Sequence, residues 1–322
     1  MKKAAILMST YNGEAFLREQ LNSLLAQQDI AWDLYIRDDG STDRTAEIIQ
    51  EFSRSSDHQV FYYENGNLGP CKSFLFLLSC AVAKKYDFYF FCDQDDVWKE
   101  DKISHTLNAY SQLDDNVQAN PVLLHTDLEV VSTTLQRIYP SMWHIKGSHP
   151  ENNQTKNYLM ENNATGCTMM MNDAAAECVN RVSGHCNCEQ LVMHDWWCAL
   201  VVSYYGCVGW LDEQTILYRQ HGKNSIGLNK PTIKSRFNYS YLSKKMRTIH
   251  QTINQAQELK KYIDKYETET VVTDVLMNYT LLPKVPFWKK AYIMKKYHFR
   301  KTSTLNNIVY FFMVVLFLGT EK

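Results

Sequence analysis

No glycine-rich dinucleotide fingerprint follows the first apolar run, and no Walker lysine motif occurs anywhere. Both absences argue against dehydrogenases and P-loop enzymes. Also missing is any apolar run of the roughly twenty residues that a membrane-crossing helix needs. The closest stretch, NNIVYFFMVVLFLG near the C-terminus, has about a dozen apolar residues. The opening MKKAAILMSTYNG turns polar too soon for a secretory leader, and the nine cysteines follow no regular spacing. Reduced thiols in a cytoplasmic setting are therefore expected. The HCNC cluster at His185–Cys188, even with Cys178, lacks the spacing of a zinc finger. With a net charge of -1 and no basic face over the first two-thirds of the chain, no nucleic-acid partner is expected.

What is present is globular. The chain has 322 residues, 45% hydrophobic and 21% charged, enough for one large or two modest domains. Four apolar runs, AAILMS, WDLYIR, HQVFYYE and FYFF, alternate with helical patterns after Ala15, Thr42 and Pro70 within about the first hundred residues. That rhythm predicts an α/β fold with a parallel sheet. PVLLHTDLEVV and NATGCTMMM add strand material, the latter running into a helix. Each early strand ends in a polar turn: STYNGE, RDDGSTD, ENGNLG, DQDD. An open α/β sheet gathers such turns on one edge, where ligands bind.

The most informative turn is FFCDQDDVWKED. Three carboxylates, Asp93, Asp95 and Asp96, fall within four positions at the end of a buried strand. Alternation aims Asp93 and Asp95 the same way, and their mutual repulsion invites a hard cation, Mn²⁺ or Mg²⁺, carrying a substrate's phosphates. A solvated acidic turn is the other reading of the same residues.

STYNGEAFLREQLNSLLAQ, IRDDGSTDRT, ENGNLGPCKSF and FCDQDDVW, in this order and at these intervals, resemble the signature loops of the family 2 glycosyltransferases. The resemblance extends more loosely through NATGCTMMM, HDWW and LYRQHGKNSIG to about Gly227. The CDQDDVW variant is similar to bacterial rhamnosyltransferases of surface polysaccharides. The resemblance implies a GT-A fold, a Rossmann-like and mostly parallel sheet flanked by helices, over residues 1–227. A helical C-terminal region would occupy 228–322.

It also implies roles. Thr10, Tyr11, Asn12 and Glu14 match the loop that contacts the donor nucleoside, and Asp39 the aspartate that reads a pyrimidine base, with Asp38 structural. Asn67, Gly69 and Lys72 match the loop near the ribose and diphosphate. Asp93 and Asp95 fill the DxD motif, Asp95 as the metal ligand together with His221. Asp96 and the rings of Trp196 and Trp197 would position sugar or acceptor, and Asp195 would be the catalytic base. The residues alone leave alternatives: Asp39 as a turn residue, Asp195 as a helix cap, His221 as an ordinary loop histidine.

The implied activity is metal-dependent, inverting transfer of a sugar from UDP or dTDP to a lipid-linked surface glycan. Rivals are a sugar nucleotidyltransferase and an inactive scaffold of a polysaccharide assembly. Between the sheet and HDWW, the irregular interval RIYPSMWHIKGSHPENNQTKN has the composition of an acceptor-side loop. Lys284–Lys301 carries seven lysines and arginines, no acid and interleaved aromatics. A basic aromatic helix before a short apolar one suits peripheral attachment to the anionic inner face of the cell membrane. Packing on the catalytic domain, or on a second copy in a homodimer, is the alternative.

Overall fold

The computed structural model describes residues 2–28, 30–221, 238–267, 273–301 and 304–319. The first third alternates as its sequence predicts: β1 (Lys3–Thr10), α1 (Leu17–Leu25), β2 (Ala31–Asp38), α2 (Thr45–Ser55), β3 (Val60–Glu64), α3 (Pro70–Val82) and β4 (Phe88–Asp93). There follow β5 (Val97–Trp98), α4 (Lys102–Ser111), α5 (Asp115–Gln118), β6 (Val122–Val131) and β7 (Arg137–Tyr139). Next come α6 (Met142–Lys146), α7 (Thr155–Tyr158), β8 (Met169–Asn172), α8 (Asp173–Ser183), α9 (His194–Tyr205) and β9 (Cys207–Arg219). The remaining helices are α10 (Tyr239–Tyr266), α11 (Asp274–Leu281), α12 (Phe287–Lys296) and α13 (Thr304–Phe312), which runs into a wide π turn at Met313–Phe317.

The sheet order is β3-β2-β1-β4-β8-β6-β9-β5, with β7 on β6. Strands β1 to β4 are parallel, and β8 is antiparallel to both β4 and β6. The sheet is thus mixed in its second half. β9 runs parallel to β6 and delivers Arg219 and His221 to the edge where β4 ends.

Two apolar cores lie on opposite faces, and strand alternation divides residues between them. Ala5, Leu7, Tyr89 and Phe91 face one core; Ala4, Ile6, Met8, Phe88 and Phe90 face the other. Helices α1, α2 and α4 cover the second core. The first continues through α3, α8 and α9 into the C-terminal helices. Helix α10 buries Ile249, Ile253, Ala256, Leu259 and Ile263 at three- and four-residue steps, the signature of a helix facing one core. Ile293, Met294, Tyr310, Met313 and Val314 join the same cluster. The inner faces of the expected basic and apolar tail helices are therefore packing elements. Their outer faces carry exposed Phe287, Trp288, Tyr292, Ile308, Phe312 and Leu316. Among the described residues no helix is long and apolar enough to cross a membrane.

A shared core has a measurable consequence. Leu259→Ala, far along the chain from the sheet, should destabilise by about 2–5 kcal/mol, the usual cost of a buried Leu→Ala. Near-UV and far-UV dichroism should still lose signal in one coincident urea transition. Separate transitions would mean that the C-terminal helices fold as their own unit.

Candidate active site

The carboxyl ends of β1, β2 and β4 open into a cleft. It is lined by Thr10, Tyr11, Asp39, Asn67 and Gly69 on one side, by Asp93, Gln94 and Asp95 in the floor, and by Thr165, Gly166, His194, Asp195 and Tyr218 opposite. Four loops far apart in sequence meet there.

Thr10 is buried and donates to Asp38 Oδ1 at 3.0 Å, and Asp38 in turn accepts from the Ser41 amide at 2.8 Å. Asp38 is structural, as its position in the motif implies. Asn12 adopts a left-handed φ of 49°, and its carboxamide oxygen accepts from the Thr42 amide at 2.9 Å. Glu14 accepts from the Arg44 amide at 2.9 Å. These two residues lash the first loop to the second and do not line the cleft, so the expected nucleoside contacts from this loop narrow to Thr10 and Tyr11. The exposed Tyr11 is clasped through its backbone by Gln94, which accepts its N–H at 2.9 Å and donates to its carbonyl at 3.0 Å.

Asp39 lines the cleft but is almost fully engaged. One oxygen accepts from the Gly69 and Leu68 amides at 2.7 and 3.2 Å, and the other pairs with buried Arg37. Asn67 accepts from the same Gly69 amide at 3.0 Å. Gly69 holds φ at 76°, a conformation that costs a side-chain-bearing residue dearly, just before Pro70 starts α3. Lys72 pairs with Glu189 and lies outside the cleft lining.

β4 ends at Asp93, and Gln94 and Asp95 form a turn, so strand alternation does not extend through the acidic stretch. Asp93 and Asp95 line the cleft, whereas Asp96 lies beneath it and is wholly buried, accepting from the Arg219 amide at 3.2 Å. A sugar cannot touch Asp96 there, so it is a support of the turn and not a sugar-positioning side chain. Arg219, also buried, donates to the Asp95 carbonyl at 2.9 Å and to the Thr133 carbonyl at 2.5 Å, pairs with Glu19, and lies 4.6 Å from the Phe16 ring centroid. Sequence reasoning passed over Arg219 and Gln94; the only signal for either was adjacency to a motif.

His221 Nε2 and Asp95 Oδ2 are 2.7 Å apart, so the two expected metal ligands do meet. Asp93, Asp96 and Cys167 bring one possible ligand atom each within 4.8 Å of one another, but Asp96 and Cys167 are sealed from the cleft. The buried Lys102 ammonium bears on that same space, and burial keeps the Cys167 thiol protonated. A hard divalent cation fits the Asp93–Asp95–His221 side better. Burial, Asp95 and Asp195 push the Asp93 carboxyl up to about 7, a repulsion that a cation would relieve.

Across the cleft, α9 begins at His194 with Met193 at the cap position, so Asp195 is not the cap. Its oxygens accept from the Trp196 amide at 2.6 Å and the Gly166 amide at 3.2 Å. A side chain at 166 would come within 2.8 Å of His194 Nε2, which explains glycine in NATGC. Burial raises the Asp195 carboxyl to about 6, against the opposing pull of those amides and of Lys146. Helical pitch turns the next two residues away. Trp197 is fully buried, donating to Ser183 Oγ at 2.8 Å, and Trp196 donates to the Tyr158 carbonyl at 2.5 Å. The expectation of an acceptor platform from these two rings is thus corrected. Tyr11, Phe74 and Tyr218 are the aromatic lining instead.

Comparisons with known proteins agree with this geometry. Residues 5–179 match the sequence model of glycosyl transferase family 2. The dTDP-rhamnosyl transferase RfbG of Shigella flexneri is 29% identical over 227 residues, covering 69% of this chain and 74% of that protein. The putative teichuronic acid biosynthesis glycosyltransferase TuaG of Bacillus subtilis is 28% identical, over 32% of this chain and 40% of TuaG. The structure of S. aureus TarS 1-349 in complex with UDP-GlcNAc superposes with a TM-score of 0.53 at 17% identity, over 98% of this chain and 90% of that one. It shares the GT-A fold.

The raised Asp195 carboxyl has a pH signature. An unfolded aspartate titrates near 3.9, so the folded state holds this proton more tightly, and ionisation costs stability as pH rises from about 4 to 6. Asp195→Asn removes that cost. In chelator, the melting temperature of the variant minus that of wild type should increase from pH 4 to pH 7. A difference that stays flat across this range would place the carboxyl at its ordinary value.

Proposed function

The chain belongs to glycosyl transferase family 2, and from that premise we propose that it moves a sugar from UDP or dTDP to a hydroxyl of a lipid-linked surface glycan, with inversion. The observation that carries this reading is the opposition of two carboxylate sets across one cleft. Asp93 and Asp95 sit at the end of β4, and Asp195 sits on α9.

The nucleoside lies along Thr10, Tyr11, Asp39 and Asn67. Asp39, held by Arg37 and two amides, turns its remaining acceptor capacity to the imide N–H of uracil or thymine. The resemblance to RfbG favours dTDP-rhamnose as donor. Asp93, Asp95 and His221 would hold Mn²⁺ or Mg²⁺, which supplies Lewis-acid stabilisation of the leaving diphosphate. Asp195 takes the proton of the acceptor hydroxyl as its oxygen attacks the anomeric carbon. A carboxyl raised to about 6 is a better base than an ordinary one and is still ionised at neutral pH. Its two amide bonds fix its orientation.

Two arms test the mechanism. Purified protein screened against nucleotide sugars should be stabilised by, and slowly hydrolyse, a UDP- or dTDP-sugar, with the rate lost in chelator and in Asp95→Asn. Asp195→Asn should keep donor affinity while transfer falls by about 10² to 10⁴, the usual worth of a positioned base. Full activity in excess chelator would remove the metal. Wild-type transfer by the Asn variant would remove Asp195.

Attachment to an anionic leaflet completes the proposal. Trp288 and Tyr292 are 64% and 61% exposed on α12, and exposed Lys284, Lys289, Lys295, Lys296 and Arg300 surround them. Lys290 is different: it is buried and donates to the Leu318 carbonyl. Because the inner faces of these helices belong to the core, substitution tests the surface better than truncation. Trp288→Glu with Tyr292→Glu should release the protein from phosphatidylglycerol vesicles at unchanged melting temperature. Each basic group near such a surface is worth about 1 kcal/mol, and salt should weaken the attachment. Vesicle binding unaffected by these changes would leave α12 without this role.

A further inference from the structure

The amides of the first polar loop are divided between two neighbours. Asn12, Gly13 and Glu14 donate to Ser41 Oγ, Thr45 Oγ1 and Asp43 Oδ2 at 2.8, 2.8 and 3.1 Å, all between β2 and the first turn of α2. Tyr11 instead turns to the acidic stretch. Gln94 Oε1 accepts its N–H at 2.9 Å, and Gln94 Nε2 donates to its carbonyl at 3.0 Å. One side-chain amide thus treats Tyr11 as a neighbouring strand would, closing a pair of hydrogen bonds across 83 positions of sequence. A pair of bonds to one residue fixes direction as well as distance.

Gly13 shows how closely that carboxamide fits. It is buried and lies outside the cleft lining. A Cβ there would collide with Gln94 Oε1 and stand 2.7 Å from Gln94 Cδ. Gly13 is not among the glycines of positive φ, so room for this side chain explains it and backbone freedom does not.

The two ends of the contact belong to different parts of the site. Exposed Tyr11 lines the cleft on the side of Asp39 and Asn67. Gln94 is flanked in the chain by Asp93 and Asp95, both in the floor. Like charges on either side of Gln94 push on its turn until a cation neutralises them. The two bonds carry any resulting shift to Tyr11.

Resting on the reading of Tyr11 as a nucleoside contact and of Asp93 and Asp95 as metal ligands, we propose that Gln94 is a positioning residue that couples the two. Its side chain holds Tyr11 in register with the acidic turn, so a divalent cation on the turn and a base beside Tyr11 favour each other. By linkage the effect is reciprocal. It runs through the protein and needs no phosphate, which separates it from a cation's direct hold on a diphosphate.

Uridine and thymidine are the probes, because neither carries a phosphate that could reach a cation. Their dissociation constants are measured on the full chain by ligand-observed NMR, in EDTA and in saturating Mg²⁺. Wild type should bind the preferred nucleoside about fivefold more tightly in Mg²⁺, the low end of usual coupling between sites. Gln94→Ala should erase that difference while Mg²⁺ affinity without nucleoside, read by calorimetry, stays near wild type. Gly13→Ala should also erase it, by displacing the carboxamide while the glutamine remains; loss in both cannot be laid to one misfolded variant. In the Gln94→Ala background the added methyl has no carboxamide to displace, so the double variant should match Gln94→Ala. A wild-type affinity indifferent to Mg²⁺ would overturn the coupling. So would a Gln94→Ala protein that binds more weakly in both media yet keeps the wild-type ratio, since the glutamine would then only brace the loop. In either case nucleoside and cation still bind, and the donor reading stands. Failure of wild type to bind either nucleoside, or Mg²⁺, would remove the donor reading and the coupling with it.

Discussion

Everything at the open edge of this sheet answers to one constraint: four aspartates, Asp93, Asp95, Asp96 and Asp195, are gathered in and beneath a single cleft. In a partly desolvated space, carboxylates at this spacing repel by several kcal/mol unless opposed. The protein opposes them unevenly. Asp96 has the Arg219 amide and the nearby buried Lys102, whose ammonium sits 4.8 Å from the Trp98 ring centroid. Asp95 has His221. Asp195 has two backbone amides and the more distant Lys146. Asp93 has least, and its carboxyl rises the most among those facing the cleft. The least opposed of these carboxyls, Asp93, lies in the floor of the cleft, and Asp195 stands on the far wall.

The scaffold around that charge is correspondingly tight. Arg219 reaches the acidic turn, the Thr133 carbonyl and Glu19 from the end of a strand whose sequence neighbours are distant. Gly166 exists because His194 and Asp195 leave no room for a side chain. His194 itself is neutral, its ring stacked 4.0 Å from that of Phe74 and its basicity lowered to about 3 by burial. It adds no further negative charge to the wall.

The C-terminal helices are part of the same economy of burial. Their inner faces extend the core beneath α8 and α9, which steadies the helix that presents Asp195. Their outer faces remain apolar and basic. One set of helices thus backs the wall that carries Asp195 and keeps an apolar, basic outer face.

The alternation of strand and helix, the four polar turns and the DQDD carboxylates were legible in the chain, because a period of two or 3.6 and a break in hydrophobicity are local properties. AAILMS, WDLYIR and FYFF became β1, β2 and β4 nearly residue for residue. The burial of Asp96 was not among these legible features, because β4 ends at Asp93 and a turn intervenes. The rest was not local. That β8 enters antiparallel, that β9 carries Arg219 under the acidic turn, and that Asn12, Glu14 and Lys72 serve neighbouring loops depended on which segments pack together. Trp196 and Trp197 looked like an acceptor platform because they adjoin Asp195 in sequence. A helix rotates about 100° per residue, so Asp195 faces the cleft while Trp197 enters the core and half-buried Trp196 lies outside the cleft lining. Sequence by itself determined which chemistry was available; packing decided which side chains could reach it, since reach depends on direction and direction on the neighbours that each element buries against.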